Sequence, residues 1–307
     1  MRGNDEFTQV KKSLDDKWVD PTCCAVWFEG TEYAMNSYDG LQCTILNTDV
    51  PDFAPESNIS LALFPAAAVF NHSDSETIYV AYPSADKDST LKYVTFDGKK
   101  WSSQATIPGV LTDLSPALAV WRENGKDKLL YVVHQGSDET NTANTLWYTT
   151  FDGENWAPDT QVPGVWLDNS PAAAFYNGML YVVHLGSWRT GTSGTLWYTT
   201  FDGKQWTSDT PIPNVSSASG SPSVAVSKFV GDGGDAKLVV AYRNSADEFW
   251  LEVMSGTQWD SFQFPIDLLP GLALDPNASP ALLASDDGNP ILVITNTYGN
   301  PTACQYG

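Results

Sequence analysis

Positive charge is scarce in this chain: 16 lysines and arginines stand against 37 aspartates and glutamates in 307 residues, for a net charge of −21. That balance repels phosphate backbones and anionic lipid surfaces, so nucleic acid is excluded as a partner. Long apolar runs are absent too, and no membrane-inserted segment is expected. The opening MRGNDEFTQVKKSLDDKW lacks the apolar core of a secretory signal, yet an extracellular or cell-surface setting remains the expectation. Histidine occurs 3 times and cysteine 4 times, with no zinc-binding spacing, no phosphate-cradling glycine loop and no nucleophile elbow. No metal and no cofactor is therefore expected. Helical periodicity is missing from every window except, weakly, the polar opening, which argues against helices.

What is present is aromatic and repetitive. Aromatics make up 12% of the chain, with 12 tryptophans, and TLWYTTFDG occurs twice, at Thr145 and at Thr195. Diverged copies are LKYVTFDGKKW from Leu91, FWLEVMSGTQW from Phe249 and YAMNSYDGLQC from Tyr33. Their glycines, Gly40, Gly98, Gly153, Gly203 and Gly256, lie 50 to 58 residues apart. A second motif alternates with the first: FPAAAVF, SPALAVW, SPAAAFY, SPSVAVS and SPALLAS, with prolines at 65, 116, 171, 222 and 280. Each is followed by an apolar run, IYVAY, LYVVH, LYVVH, LVVAY or ILVIT. A small-residue strand, a strand buried on both faces, an alternating strand ending in Asp-Gly, and a Trp-bearing outer strand make a four-stranded antiparallel unit. Asp-Gly between strands predicts a hairpin with positive φ at both central residues. Radial repetition of such units predicts an all-β, five-bladed β-propeller.

The phase of the chain sets the expected closure. Residues 1–24 read as an N-terminal extension and 25–307 as one domain, with blades over about 58–109, 110–163, 164–213 and 214–267. A composite blade joins 270–307 to 25–52, pairing N- and C-terminal strands. All four cysteines, Cys23, Cys24, Cys43 and Cys304, fall in or beside that blade. A Cys43–Cys304 disulfide is the preferred pairing, with buried thiols as the alternative.

Aligning the units separates scaffold from candidate site. The column Tyr38, Phe96, Phe151, Phe201, Met254 and the column Met35, Tyr93, Tyr148, Tyr198, Leu251 read as core. Between them Ala34, Lys92, Trp147, Trp197 and Trp250 share a position that tolerates charge, so Trp147, Trp197 and Trp250 are candidate sugar-stacking faces or blade-packing indoles. Second strands end in Tyr82, His134, His184, Tyr242 and Thr295, whose polar tips are expected at one rim. After His134 and His184 come loops rich in Ser, Thr, Asn and Gly, and Trp188-Arg189 in one of them pairs an aromatic face with a fork of donors. The repeated aspartates Asp39, Asp97, Asp152 and Asp202 are explained by turns rather than catalysis.

The Phe/Tyr-Asp-Gly-x-x-Trp pattern with its Ala-rich and apolar strands resembles the blades of β-propeller lectins, both the tachylectin-type five-bladed and the fungal fucose-specific six-bladed families. The resemblance spans roughly residues 30 to 307. It implies several ligand sites between adjacent blades, built from Trp or Tyr faces with Arg, Glu or Asn. The function expected is a non-enzymatic, multivalent carbohydrate-binding protein whose partners are glycans or glycoproteins. Tyr82, His134, Trp147, His184, Trp188, Arg189, Trp197, Tyr242 and Trp250 are its candidate ligand-binding residues. Two rivals stand beside it: a glycoside hydrolase or lyase at the channel, using Asp113 and Asp168, and a protein-interaction propeller.

Overall fold

The continuous apolar runs become the second strand of successive sheets, where both faces are covered. In a computed structural model, residues 7–8, 24–29, 31–36, 41–45, 59–73, 75–86, 88–228, 235–263, 279–284, 290–295 and 301–306 are described. Strands β1 (Phe7–Thr8), β2 (Cys24–Phe28), β3 (Thr31–Asn36) and β4 (Gln42–Ile45) open the chain. Next come β5 (Ala66–His72), β6 (Ser75–Pro83), β7 (Thr90–Phe96) and β8 (Ala105–Leu111). The two most regular repeats supply β9 (Ala117–Glu123), β10 (Lys126–Gln135), β11 (Thr145–Phe151) and β12 (Thr160–Trp166), then β13 (Ala172–Tyr176), β14 (Met179–Leu185), β15 (Leu196–Phe201) and β16 (Thr210–Pro211). The remainder are β17 (Ala218–Lys228), β18 (Ala236–Asn244), β19 (Phe249–Ser255), β20 (Gln258–Gln263), β21 (Ala281–Ala284), β22 (Pro290–Thr295) and β23 (Pro301–Tyr306). All the strand pairings are antiparallel. Among the described residues no helix is long and apolar enough to cross a membrane.

Among the described residues there are six sheets where five blades are expected: β2–β4, β5–β8, β9–β12, β13–β16, β17–β20, and β21–β23 with β1 on its edge. Their first strands touch in sequence, β2 on β5, β5 on β9, β9 on β13, β13 on β17 and β17 on β21, and β2 also touches β21. N- and C-terminal strands do pair in one composite sheet, but its N-terminal strand is Phe7–Thr8, while the strands of 25–52 form a sheet of their own. The stretch from Tyr33 is a second strand rather than a third: Thr31–Asn36 pairs on one side with Cys24–Phe28 and on the other with Gln42–Ile45, making it a middle strand. Cys24–Phe28 is that sheet's own innermost strand. The edge of the last sheet is taken by Phe7–Thr8, paired to Tyr306 and Gln305, so the supposed N-terminal extension contributes a strand. The expected Cys43–Cys304 disulfide is not found: Cys43 is buried on β4, in a different sheet from Cys304 on β23, and no disulfide occurs among the described residues. Cys23 lies outside them.

Burial is concentrated between neighbouring sheets. One core cluster joins Phe28, Tyr33 and Met35 to Ile78, Val80 and Phe96; the next joins Phe70 and Leu91 to Leu118, Leu130 and Phe151. The repeat's aromatics build these seams. Tyr79 stacks on Tyr93, Tyr131 on Tyr148 and Tyr181 on Tyr198, with centroids 6.4, 5.9 and 6.1 Å apart. The outer Trp of the following sheet then meets the second tyrosine of each pair: Trp156 on Tyr93 at 5.4 Å, Trp206 on Tyr148 at 5.4 Å and Trp259 on Tyr198 at 5.7 Å. Burial raises the Tyr79, Tyr131 and Tyr181 phenols, that of Tyr131 to about 12.

The Asp-Gly turns differ from the sequence expectation in one respect. Only the glycine has positive φ, 87° at Gly98, 103° at Gly153 and 92° at Gly203. The aspartate stays in ordinary backbone space because its carboxylate organises the turn instead. Asp97 Oδ1 accepts from the backbone N–H of Lys99 and Lys100, Asp152 Oδ1 from Glu154 and Asn155, and Asp202 Oδ1 from Lys204 and Gln205. Those donors hold all three carboxyls below the usual range. Each turn docks on the preceding sheet, Gly98 over Phe28, Gly153 over His72 and Gly203 over Trp121.

A Cβ on Gly153 would sit 2.0 Å from His72 Nδ1. Gly153→Ala is expected to cost about 3 kcal/mol, part from the positive φ and part from the collision. Chemical denaturation of a double-mutant cycle checks this: in a His72→Ala background the cost should fall to the φ part alone, about 1–2 kcal/mol.

Candidate functional site

At the two most regular sheets, the loop between second and third strands is built identically. Ser187 caps a 3-10 turn, Trp188–Thr190, accepting through Oγ from the Arg189 N–H, and Gly191 closes it in the left-handed region. Ser137, the turn Asp138–Thr140 and left-handed Asn141 repeat that arrangement one sheet earlier. An aspartate from the segment entering each sheet clamps the loop. Asp168 accepts from Ser187 Oγ at 2.7 Å, the Trp188 N–H at 2.8 Å and Ser193 Oγ at 3.3 Å. Asp113 accepts from Ser137 Oγ, the Asp138 N–H and Ser89 Oγ. These carboxylates, the candidates for hydrolytic chemistry, thus serve as loop clamps in neighbouring sheets.

Clamping the backbone at Trp188 turns its indole outward, 65% exposed. The next residue reaches across to the preceding sheet: Arg189 Nε donates to Asn144 Oδ1 at 3.0 Å. Its guanidinium lies 4.9 Å from the Trp188 ring centroid and 5.8 Å from that of Trp166, at the end of β12. The junction between β9–β12 and β13–β16 thereby carries two indoles, one guanidinium and one carboxamide, on side chains from both sheets. Trp166 and Asn144 were not among the sequence candidates. Their signal was available in the repeat, since the positions aligned with Trp166 hold Leu111 and Ser216, and those aligned with Asn144 hold Ser89 and Gly194.

The other candidates have inward duties. Tyr82, His134, His184 and Tyr242 are buried rather than rim-exposed. Tyr82 donates its hydroxyl to Gln104 Oε1 at 2.9 Å. In the histidines, Nδ1–H donates to the carbonyl of the next residue, Gln135 or Leu185, while Nε2 faces Asp159 or Asp209 at 3.0 Å. Gln104, Asp159 and Asp209 each follow the outer Trp by three positions, so this is one repeated staple between the second strand and the segment entering the outer strand. Trp147, Trp197 and Trp250 are half-buried. Their indole N–H groups donate along the same strand to Thr145 Oγ1, Thr195 Oγ1 and Glu248 Oε2.

The channel side is different in character. A cavity of about 220 Å³ is lined by the Ser-Pro segments from Ser115, Ser170, Ser221 and Ser279, together with Phe64-Pro65 and Cys24. The serines link neighbours: Ser115 Oγ accepts from the Phe64 N–H, Ser170 Oγ from the Ser115 N–H and Ser279 Oγ from the Ser221 N–H. That lining offers hydroxyls and small apolar groups but no pair of carboxylates of the kind glycoside cleavage uses.

The fold has solved counterparts. The chain is similar to the lectin of Aleuria aurantia, described as a six-bladed β-propeller, at 16% identity and a TM-score of 0.69, over 94% of this chain and 92% of that one. It is also similar to the SapL1 lectin, solved with α-methyl fucoside, at 15% identity and 0.62, over 91% and 89%. A protein of Arthrobotrys oligospora, AofleA, aligns at 14% identity and 0.56 over 76% and 68%. No family model matches the chain, and no curated protein matches it. The resemblance to propeller lectins is thus shown at the level of the fold.

One buried acid stands apart from the repeat. Glu252 on β19 occupies the column of Thr149 and Thr199 and is buried, accepting from Ser261 Oγ at 2.6 Å and from the Tyr242 hydroxyl at 3.3 Å. Burial pushes its carboxyl from 4.5 up to about 7 despite those two donors; burial, then the nearby carboxyl, raises the Tyr242 phenol. The unfolded chain ionises Glu252 at the ordinary value, so its contribution is full below about pH 4.5 and is lost as pH rises through about 7. Glu252→Gln should therefore gain stability over the native chain on going from pH 4.5 to pH 8, by up to about 3 kcal/mol. Denaturation midpoints of the two chains at both pH values check this; a constant difference would contradict it.

Proposed function

We propose that the chain is a non-enzymatic carbohydrate-binding protein whose sugar site is the sheet junction formed by Asn144, Trp166, Trp188 and Arg189. The observation that carries this reading is the exposed indole of Trp188 beside a guanidinium anchored across the sheet junction. Pyranose rings present a C–H face that packs on an indole and an edge of hydroxyls that hydrogen-bond to fixed donors and acceptors. Arg189 and Asn144 supply such donors and acceptors without having to be ordered on binding, because each already holds the other. Support also comes from the solved counterparts, of which the Aleuria aurantia lectin was crystallised with Fucα1-6GlcNAc and with α-methyl-L-fucoside. Glycans and glycoproteins are the partners of this reading. In this reading the buried Tyr82, His134, His184 and Tyr242 support the scaffold.

Trp188→Ala tests the site, since an indole this exposed contributes little to stability. Glycan-array screening of the native chain should give at least one binding glycan, and the variant should bind it at least about tenfold more weakly, about 1.4 kcal/mol, with an unchanged melting temperature. An array without signal at high protein concentration would overturn the reading.

A further inference from the structure

We infer that this site selects glycans ending in a carboxylate-bearing sugar, and that the chain carries one such site rather than a ring of equal ones. The inference rests on the carbohydrate reading and sharpens it.

Two observations carry it. The first is the state of Arg189. In a chain with 37 acidic and 16 basic residues, carboxylates are plentiful. Arg122 pairs with Asp127 at 2.6 Å and Arg243 with Asp247 at 3.6 Å. Among the described residues no carboxylate pairs with Arg189: Nε is spent on the neutral Asn144, and both flanking rings are indoles. The nearest clamp, Asp168, has its oxygens engaged by Ser187, Trp188 and Ser193 instead. A guanidinium held by its Nε and by aromatic faces keeps its two terminal nitrogens for a planar, two-oxygen acceptor. The flanking indoles hold the guanidinium through cation–π contact. A neutral hydroxyl uses only one arm of the fork.

The second observation is how the adjoining junctions differ. One junction earlier the same loop geometry holds Asp138 and Glu139 where Trp188 and Arg189 stand, and Leu111 where Trp166 stands. Two carboxylates and an aliphatic side chain repel an anionic sugar and offer it no platform. One junction later, Ser216 and Gly194 replace Trp166 and Asn144, and the loop shortens to Asn244–Glu248. The charge and the indoles coincide at one junction among these three.

The test uses the full chain and matched glycans ending in glucuronic, galacturonic or N-acetylneuraminic acid, each beside its methyl ester. Calorimetry should show at least one acid bound with one equivalent per chain, and its ester bound about tenfold or more weakly. Arg189→Gln should erase that difference, and Arg189→Lys should recover only part of it, since an ammonium lacks the fork. Equal or better binding of every ester, binding of neutral sugars alone, or several equivalent sites would overturn the inference while leaving the carbohydrate reading intact. Absence of binding to any glycan, acidic or neutral, would overturn both.

Discussion

Every other feature depends on one constraint: no sheet in this chain buries its own faces. The sheets from β5 to β20 have an apolar middle strand, such as Leu130–Val133 or Leu180–Val183, whose side chains point to both sides. The only apolar surface available to cover them is another copy of the same unit, which is why the core clusters run between sheets rather than within them. Trp156 and Trp206 of the Asp-Gly-x-x-Trp segments lie against the preceding unit's tyrosine, and the Gly of each described Asp-Gly turn lies against the preceding unit's first hairpin. Such a chain of dependence has no natural end. It is completed here where β2 meets β21 and where Phe7–Thr8 completes the last sheet.

That same dependence decided what could be read from the sequence. Columns under the strictest packing demand, Phe96, Phe151, Phe201 and Met254, were plain because a buried seam accepts little else. The strand type and order of the central units followed from them. The number of sheets did not, because the first unit opens with Cys-Ala-Val-Trp-Phe, where the others have Ser-Pro or Phe-Pro, and its stretch from Tyr33 resembles a third strand in sequence while it pairs as a second. Local motif and register disagreed there, and register is a property of pairing that a motif does not encode. Turn type was misjudged for a related reason. Asp-Gly suits a two-residue hairpin with two left-handed residues, but an aspartate able to accept two backbone N–H groups stabilises a turn in which the glycine alone is left-handed.

The histidines show how a polar tip can mislead. His134 and His184 end apolar strands just before polar loops, the position at which rim residues are expected. Their partners Asp159 and Asp209 lie 25 residues downstream and belong to no motif that flanks the histidine. Only the fold brings them together, and with Tyr82 on Gln104 in a third sheet the contact is recognisable as a scaffold element whose chemistry varies while its geometry holds. Glu252 is the converse case. A threonine column admits a carboxyl because Ser261 and Tyr242 supply donors, and its raised pKa follows from the burial that those donors only partly offset.

Repetition hides function where it is faithful and reveals it where it breaks. The loops after His134 and His184 share a serine cap, a left-handed closing residue (Asn141 in one, Gly191 in the other) and an aspartate clamp, so the backbone path they offer is equivalent. They differ in several side chains, among them the exposed pair Asp138-Glu139 in one and Trp188-Arg189 in the other. Packing cannot account for the change, because Trp188 is mostly solvent-exposed. Nor can loop stability, because the clamp binds the main-chain N–H of either residue. An exposed indole costs solubility and a guanidinium without a carboxylate forgoes a pairing that the acidic composition makes easy. Their joint presence beside Trp166 and Asn144 is therefore most economically explained by something that binds there, and the scaffold's indifference to these residues is what left them open to be shaped for it.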